Sequence, residues 1–169
     1  MKVVILAGGK GTRLSEYTKT IPKPMVKIQK FPIIIYIMKH YAKYGFKDFI
    51  IATGYKKNVI EKYFKRKFFD WNIKLVNTGK ETMTGGRIKR LKKIIKNETF
   101  MLTYGDGLSD VNLKKLLLFH YKNRATVTLT AVRPPARFGA ISLKGNKVAV
   151  FREKSSLDSG WINGGFFVM

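Results

Sequence analysis

The sequence has no cysteine and only two histidines. Without thiols there is no disulfide framework, no thiolate metal site and no cysteine nucleophile. Neither His40 nor His120 has a carboxylate and a nucleophile arranged around it in the chain, so no catalytic role is assigned to either. Acidic residues are scarce too: 10 Asp plus Glu stand against 34 Lys plus Arg, for a formal net charge of +24. A field of that sign attracts polyanions. The lysines are scattered rather than gathered in one arm or helix, which is the pattern of solvated faces, so no specific nucleic-acid partner is expected. An anionic small substrate is served by the same field. No apolar run approaches the roughly 20 residues that a membrane-spanning helix needs, so no membrane partner is expected, and the lack of cysteine fits a reducing cytoplasm. Residues Lys2 to Ala7 are too short for a signal-peptide core and run straight into a glycine-rich turn, so they read as a strand.

What is present is an alternation of strand-length apolar runs with longer segments of helical period, the pattern of an α/β fold with a parallel sheet flanked by helices. The 169 residues fit one domain. Strands are expected at Lys2–Ala7, Asp48–Thr53, Ile73–Val76, Phe100–Thr103 and Ala125–Val132. Pro32 to Tyr44 is helical in period and ends at Gly45, a C-cap residue. Asn58 is expected to cap a helix running to about Arg66, Gly86 to Ile95 has helical spacing, and another helix runs from about Asn112 to Lys122. Gly145-Asn146 between two short apolar runs signals a hairpin, which makes the sheet mixed. The last segment, Trp161 to Met169, is apolar and stops without a cap or polar tail, as a truncated chain would.

Two segments carry chemistry on their own residues. Leu6-Ala-Gly-Gly-Lys-Gly-Thr-Arg-Leu14 takes a buried strand into a loop whose glycines at 8, 9 and 11 let successive N–H groups converge on an anion, with Arg13 adding a fixed charge. It is neither the nucleotide P-loop nor the dinucleotide fingerprint, since position 13 is arginine and position 14 leucine. A tight surface turn is the plain alternative. Beyond it, Pro22-Lys23-Pro24 stiffens the backbone on both sides of a lysine. That suits charge stabilisation, although alone it also reads as an ordinary proline-rich turn.

Together, Gly-Gly-Lys-Gly-Thr-Arg-Leu after a strand and Pro-Lys-Pro downstream resemble the signature of the sugar nucleotidyltransferases. Thr82-Met-Thr-Gly-Gly-Arg-Ile-Lys89, Thr103-Tyr-Gly-Asp-Gly107, Arg137-Phe-Gly-Ala140 and Ile162-Asn-Gly-Gly-Phe-Phe167 are similar to segments of the glucose-1-phosphate cytidylyltransferases among them. The resemblance implies a Rossmann-like nucleotidyltransferase fold, a mostly parallel mixed sheet with helices on both faces. It implies CTP and glucose 1-phosphate as substrates, CDP-glucose and pyrophosphate as products, and Mg2+ as cofactor, with CDP-glucose serving surface-polysaccharide deoxysugars.

By the same resemblance, Leu6, Ala7, Gly8, Gly9, Lys10, Gly11, Thr12 and Arg13 embrace the nucleotide, joined by Thr82, Gly86, Arg87 and Gly105. Arg13 and Lys23 are the catalytic charges, Asp106 the metal ligand, and Glu153, Lys154 and Asn163 the sugar-phosphate contacts. Asp106 is a hard oxygen donor of the kind magnesium takes with phosphate oxygens and water; a turn aspartate bonded to its own backbone is the alternative. Family members continue past the Asn-Gly-Gly-Phe-Phe segment and carry a second metal-binding aspartate there. The expectation is therefore a single domain over 1–169 that lacks the family's C-terminal part and exposes apolar surface. The stretch from about Phe69 to Val76 is shorter than in relatives that use it for subunit contacts, which leaves a homo-oligomer open. A nucleotidyltransferase using UTP or dTTP, and a truncated relative that only binds nucleotides, remain alternatives.

Overall fold

An unbroken apolar run cannot leave either face of a strand to water, and Lys2–Leu6 accordingly forms β1 at the centre of a sheet, with Val3, Val4 and Ile5 fully buried. The computed structural model describes residues 1–11, 18–65, 70–134, 140–152 and 160–169. They divide into two units, Met1–Thr128 with Gly165–Met169, and Leu129–Gly164.

In the first unit, β1 pairs in parallel with β4 (Asp48–Thr53) on one edge and with β6 (Met101–Tyr104) on the other, and β5 (Asn72–Asn77) extends the sheet beyond β4. The end of β10 (Ile162–Val168) runs antiparallel to β6, with Phe167 opposite Leu102. The order is therefore β5-β4-β1-β6-β10. The chain builds outward from β1 through β4 to β5 and then returns to the far side of β1. That reversal leaves a crevice at the carboxyl ends of β1 and β6, where open α/β sheets bind ligands. A short hairpin of β2 (Lys27–Ile28) and β3 (Phe31–Pro32) stands apart.

Alternate side chains of each strand feed two cores, as a strand's period of two requires. One face, with Val3, Ile5, Phe49 and Ile51, is covered by α1 (Ile33–Lys43), α2 (Lys57–Phe64) and α5 (Leu113–Lys122) through Ile34, Met38, Ile60 and Leu113. The other, with Val4, Ile50 and Leu102, is covered by α3 (Thr84–Arg90) and α4 (Lys92–Ile95) through Leu91 and Ile95. Helices thus lie on both faces. Full burial of side chains this size contributes about 1.5–3 kcal/mol each.

The second unit holds most of β7 (Thr128–Val132) and an antiparallel hairpin of β8 (Ala140–Lys144) and β9 (Lys147–Arg152), which turns at Gly145 with φ +61°. Ile141, Leu143, Val148 and Phe151 of this hairpin are exposed. No described helix is long and apolar enough to cross a membrane.

One helix start and one helix's continuity differ from the sequence expectation. α2 begins at Lys57, after Lys56 at φ +48°, so Asn58 sits inside the first turn and caps nothing. The chain has already turned at Gly54, whose carbonyl accepts from Lys57 N–H at 3.2 Å. The segment expected as one helix from Gly86 to Ile95 is two, α3 and α4, which meet at Leu91, where the N–H bonds three residues back to Ile88 O at 2.9 Å and the side chain enters the core.

Both histidines are packing residues. His120 Nδ1 lies 3.0 Å from Thr128 Oγ1. His40 Nε2–H donates to the Val111 carbonyl at 3.0 Å, and its ring meets Tyr44 and Phe166 edgewise. Burial lowers the His40 pKa from its ordinary 6.5. On acidification the unfolded chain therefore takes up this proton before the folded one does. Its contribution to stability is complete above pH 6.5 and is lost as pH falls through the lower folded value. Urea unfolding between neutral and mildly acid pH should show a shallower loss of stability in His40→Gln than in the wild type; identical slopes would contradict this.

Candidate active site

β1 hands its register to both neighbours before the chain leaves the sheet. Ala7 N–H donates to Ala52 O and Gly105 N–H to Leu6 O, each at 2.9 Å. This pins the start of the glycine loop beside the Tyr104-Gly-Asp-Gly turn. Past the strand, Gly8 O accepts from Tyr55 N–H at 3.1 Å, and Gly11 takes φ +65° with Thr18 packed against it.

Pro22 and Pro24 place Lys23 at the head of a single 3₁₀ turn, Lys23–Met25, closed by Met25 N–H to Pro22 O at 2.8 Å and anchored by buried Pro24 and Met25. From this base the Lys23 ammonium reaches Asp106, with Nζ 2.6 Å from Oδ2 and about two-thirds of each side chain shielded from water. Gly105 is buried under Pro24: a Cβ at position 105 would lie 2.8 Å from Pro24 Cγ and 3.0 Å from Leu6 O. The two prolines and the glycine therefore set the height of lysine and aspartate together.

The third wall is the segment before α3. Thr82 Oγ1 accepts from Arg90 Nη1 at 2.6 Å. Thr84, Gly85 and Gly86 are the first three helical residues, ahead of the Arg87 N–H to Met83 O bond that closes the first turn. Their N–H groups lack intrahelical partners, as at any helix start. Lys10 is tied to this wall by an ion pair with Glu81 at 2.7 Å, a hydrogen bond that holds the Glu81 carboxyl below the usual carboxylate range.

Arg87 behaves unlike the other cations. It is 4% exposed, and its guanidinium donates to Gly8 O (2.8 Å), Gly79 O (2.7 Å) and Thr78 Oγ1 (2.8 Å). Burial first, and neighbouring Arg90 second, lower its pKa, yet an arginine keeps its proton in a protein. Nη1 and Nη2 are thus engaged by the protein, and Arg87, which the sequence resemblance assigns to the nucleotide, also lines the pocket between these walls.

These segments enclose a pocket of about 280 Å³ lined by Leu6, Ala7, Gly8, Gly9, Gly11, Lys23, Pro24, Thr82, Met83, Thr84, Arg87, Tyr104 and Asp106. Most of the residues singled out from the sequence come together here. Thr12 and Arg13, and likewise Glu153 and Lys154, lie outside the described residues, and Asn163 is exposed on β10 in the second unit. Tyr104, Met83 and the Glu81 partner of Lys10 were not anticipated. The available signals were glycines closing the parallel strands, Gly54 after β4 and Gly79 after β5. A pocket joining a glycine loop, a held lysine and a hard carboxylate suits a polyphosphate with a divalent cation.

Comparison with known proteins gives the same picture. A family profile described as Nucleotidyl transferase matches residues 2–169. The glucose-1-phosphate cytidylyltransferase of Salmonella typhimurium is 46% identical over 192 residues, covering 100% of this chain and 75% of its own. The D-glycero-alpha-D-manno-heptose 1-phosphate guanylyltransferase of Campylobacter jejuni is 36% identical over 170 residues, covering 100% of this chain and 76% of its own. Among solved structures, HddC from Yersinia pseudotuberculosis complexed with GMP-PN aligns at a TM-score of 0.73 with 27% identity, over 99% of this chain and 76% of that one.

The packing at Gly105 makes a direct prediction. Gly105→Ala should destabilise the protein by about 1–3 kcal/mol, since the new methyl must displace Pro24 or the β1 carbonyl. Gly107→Ala, with open space around it, should change stability by less than about 0.5 kcal/mol. Urea denaturation of both variants checks the contrast, and equal effects would refute it.

Proposed function

We propose a function on one premise: this chain belongs to the nucleotidyl transferase family. It transfers the cytidylyl group of CTP to glucose 1-phosphate, giving CDP-glucose and pyrophosphate. The observation that carries the reading is the Lys23–Asp106 pair at 2.6 Å, set beside the glycine loop at the sheet's switch point. The choice of cytidine rests on the relative at 46% identity.

A phosphate oxygen of glucose 1-phosphate forms a bond to the α-phosphorus of CTP while the bond from that phosphorus to the β-phosphate oxygen breaks. Pyrophosphate leaves with the bonding electrons. The attacking oxygen is already anionic, so no general base is required, and catalysis reduces to alignment and charge. N–H groups of the glycine loop bind the triphosphate. Lys23 gives up part of its bond to Asp106 and neutralises charge on the transferring and leaving groups. Arg13 is proposed as a second such charge. Thr82 and the first amides of α3 face the nucleotide at the other wall.

Magnesium fits the residues present. Among the described residues no cluster of three or more His, Asp or Glu side chains forms a cage, and an ion of this type is held by one or two carboxylates plus substrate phosphates and water. Asp106 is the group that would hold it, and bound there it would offset charge on the phosphate oxygens. A reaction that consumes CTP is proposed for the cytoplasm, where nucleoside triphosphates are made.

Pyrophosphate release with CTP, UTP, dTTP and GTP, each with and without glucose 1-phosphate, tests the proposal. Release should require the sugar phosphate and favour CTP. Lys23→Ala should lower kcat by about 10²–10³, the range for losing one preorganised charge-stabilising group. Preference for another nucleotide, or no release at all, would overturn it.

A further inference from the structure

We infer that Arg87 is a positioning residue for the nucleotide loop, acting from beneath it through the Gly8–Gly9 peptide rather than through contact with the ligand. The inference deepens the nucleotidyl-transfer reading and rests on it for its functional consequence.

The guanidinium gathers main-chain oxygens from the carboxyl end of one parallel strand and from the loops that follow its two neighbours. Gly8 O comes from the loop after β1, Thr53 O (3.3 Å) from the end of β4, and Gly79 O with Lys80 O (3.4 Å) from the loop after β5. Arg87 is 79 residues from Gly8 in sequence, so this is a tertiary link. The fork can enter because two glycines make room. A Cβ on Gly8 would collide with the guanidinium, and one on Gly54 would lie 2.5 Å from Gly79 O and 2.6 Å from Arg87 Nη1.

The peptide bonds described are all trans, and in a planar trans peptide the carbonyl and the following N–H point in opposite directions. Holding Gly8 O on Arg87 therefore turns the Gly9 N–H away from the guanidinium, at a loop whose Gly8 and Gly9 line the pocket together with Arg87. Tyr55 N–H also donates to Gly8 O, at 3.1 Å, so without Arg87 the peptide keeps one neutral hydrogen bond in place of a pair that includes a charged one, and the aim of its N–H is less firmly fixed in a Gly-Gly sequence. The charge adds to the effect. Among the described residues no carboxylate forms an ion pair with Arg87, so a net positive charge remains behind the loop, where the dielectric is low. Lysine keeps the charge but not the planar fork.

Two variants and two readouts decide the matter. In the ligand-free protein, Arg87→Lys should speed amide exchange at Gly9 and Gly11 by about tenfold or more, leaving Val3, Val4 and Ile5 of β1 protected as in the wild type. The KM for CTP should rise by about tenfold while that for glucose 1-phosphate stays within about twofold. Gly8→Ala, which keeps the arginine and evicts it from its seat, should reproduce both changes, and the double variant should be no worse than either single one. A rise in the KM for CTP with unchanged loop exchange would mean direct ligand contact and would overturn the proposal, as would wild-type behaviour in both variants. If Arg87→Lys also exposes β1, its effect is global and Gly8→Ala decides alone. Should the wild type release no pyrophosphate, the functional reading falls while the exchange measurement still rules on Arg87.

Discussion

β1 is hydrogen-bonded along both edges and covered on both faces, so its residues have one position available to them. Every group at the site inherits that constraint. The glycine loop starts where β1 ends, the Tyr104-Gly-Asp-Gly turn starts where β6 ends, and the two are tied by Gly105 N–H to Leu6 O. Because β4 and β6 lie on opposite sides of β1, connections leaving their ends diverge and leave a crevice between them. The site follows from this topology, and the side chains that fill it are then free to determine chemistry.

Charge within the crevice is arranged at two depths. Lys23 and Asp106 meet near the surface, partly wetted. Arg87 lies beneath, surrounded by carbonyls and committed to the fold. In the proposed reaction a substrate polyanion recruits the charge of Lys23, while that of Arg87 stays with the fold. The Lys10–Glu81 pair, with Glu81 largely exposed, is of the weak surface kind that salt readily screens.

Much of this was legible in the sequence, for identifiable reasons. The unbroken apolar run at Lys2–Leu6 signalled a central parallel strand because only burial on both faces allows it. The alternation of such runs with helical periods signalled the layered fold. The glycine loop and Pro22-Lys23-Pro24 stood out because glycine and proline restrict or release the backbone in ways readable residue by residue. The function of Arg87 was not legible in the same way. The resemblance assigns Arg87 to the nucleotide, and only the fold brings Gly8, Thr53 and Gly79 to it. The sequence expects Gly8 to let the backbone approach an anion, and in the structure its missing side chain also leaves room for the guanidinium. The start of α2 escaped for a related reason, since the left-handed Lys56 answers to the Gly54 turn and not to its own preference.

The most direct test of the account is an amide NMR titration of the protein with CTP in the presence of magnesium, which locates the nucleotide residue by residue. The account predicts shifts concentrated at the amides of Gly8, Gly9, Gly11, Gly86 and Gly105, with the β8–β9 hairpin undisturbed. Saturating CTP that leaves those glycines unmoved, or that shifts a different surface, would contradict it.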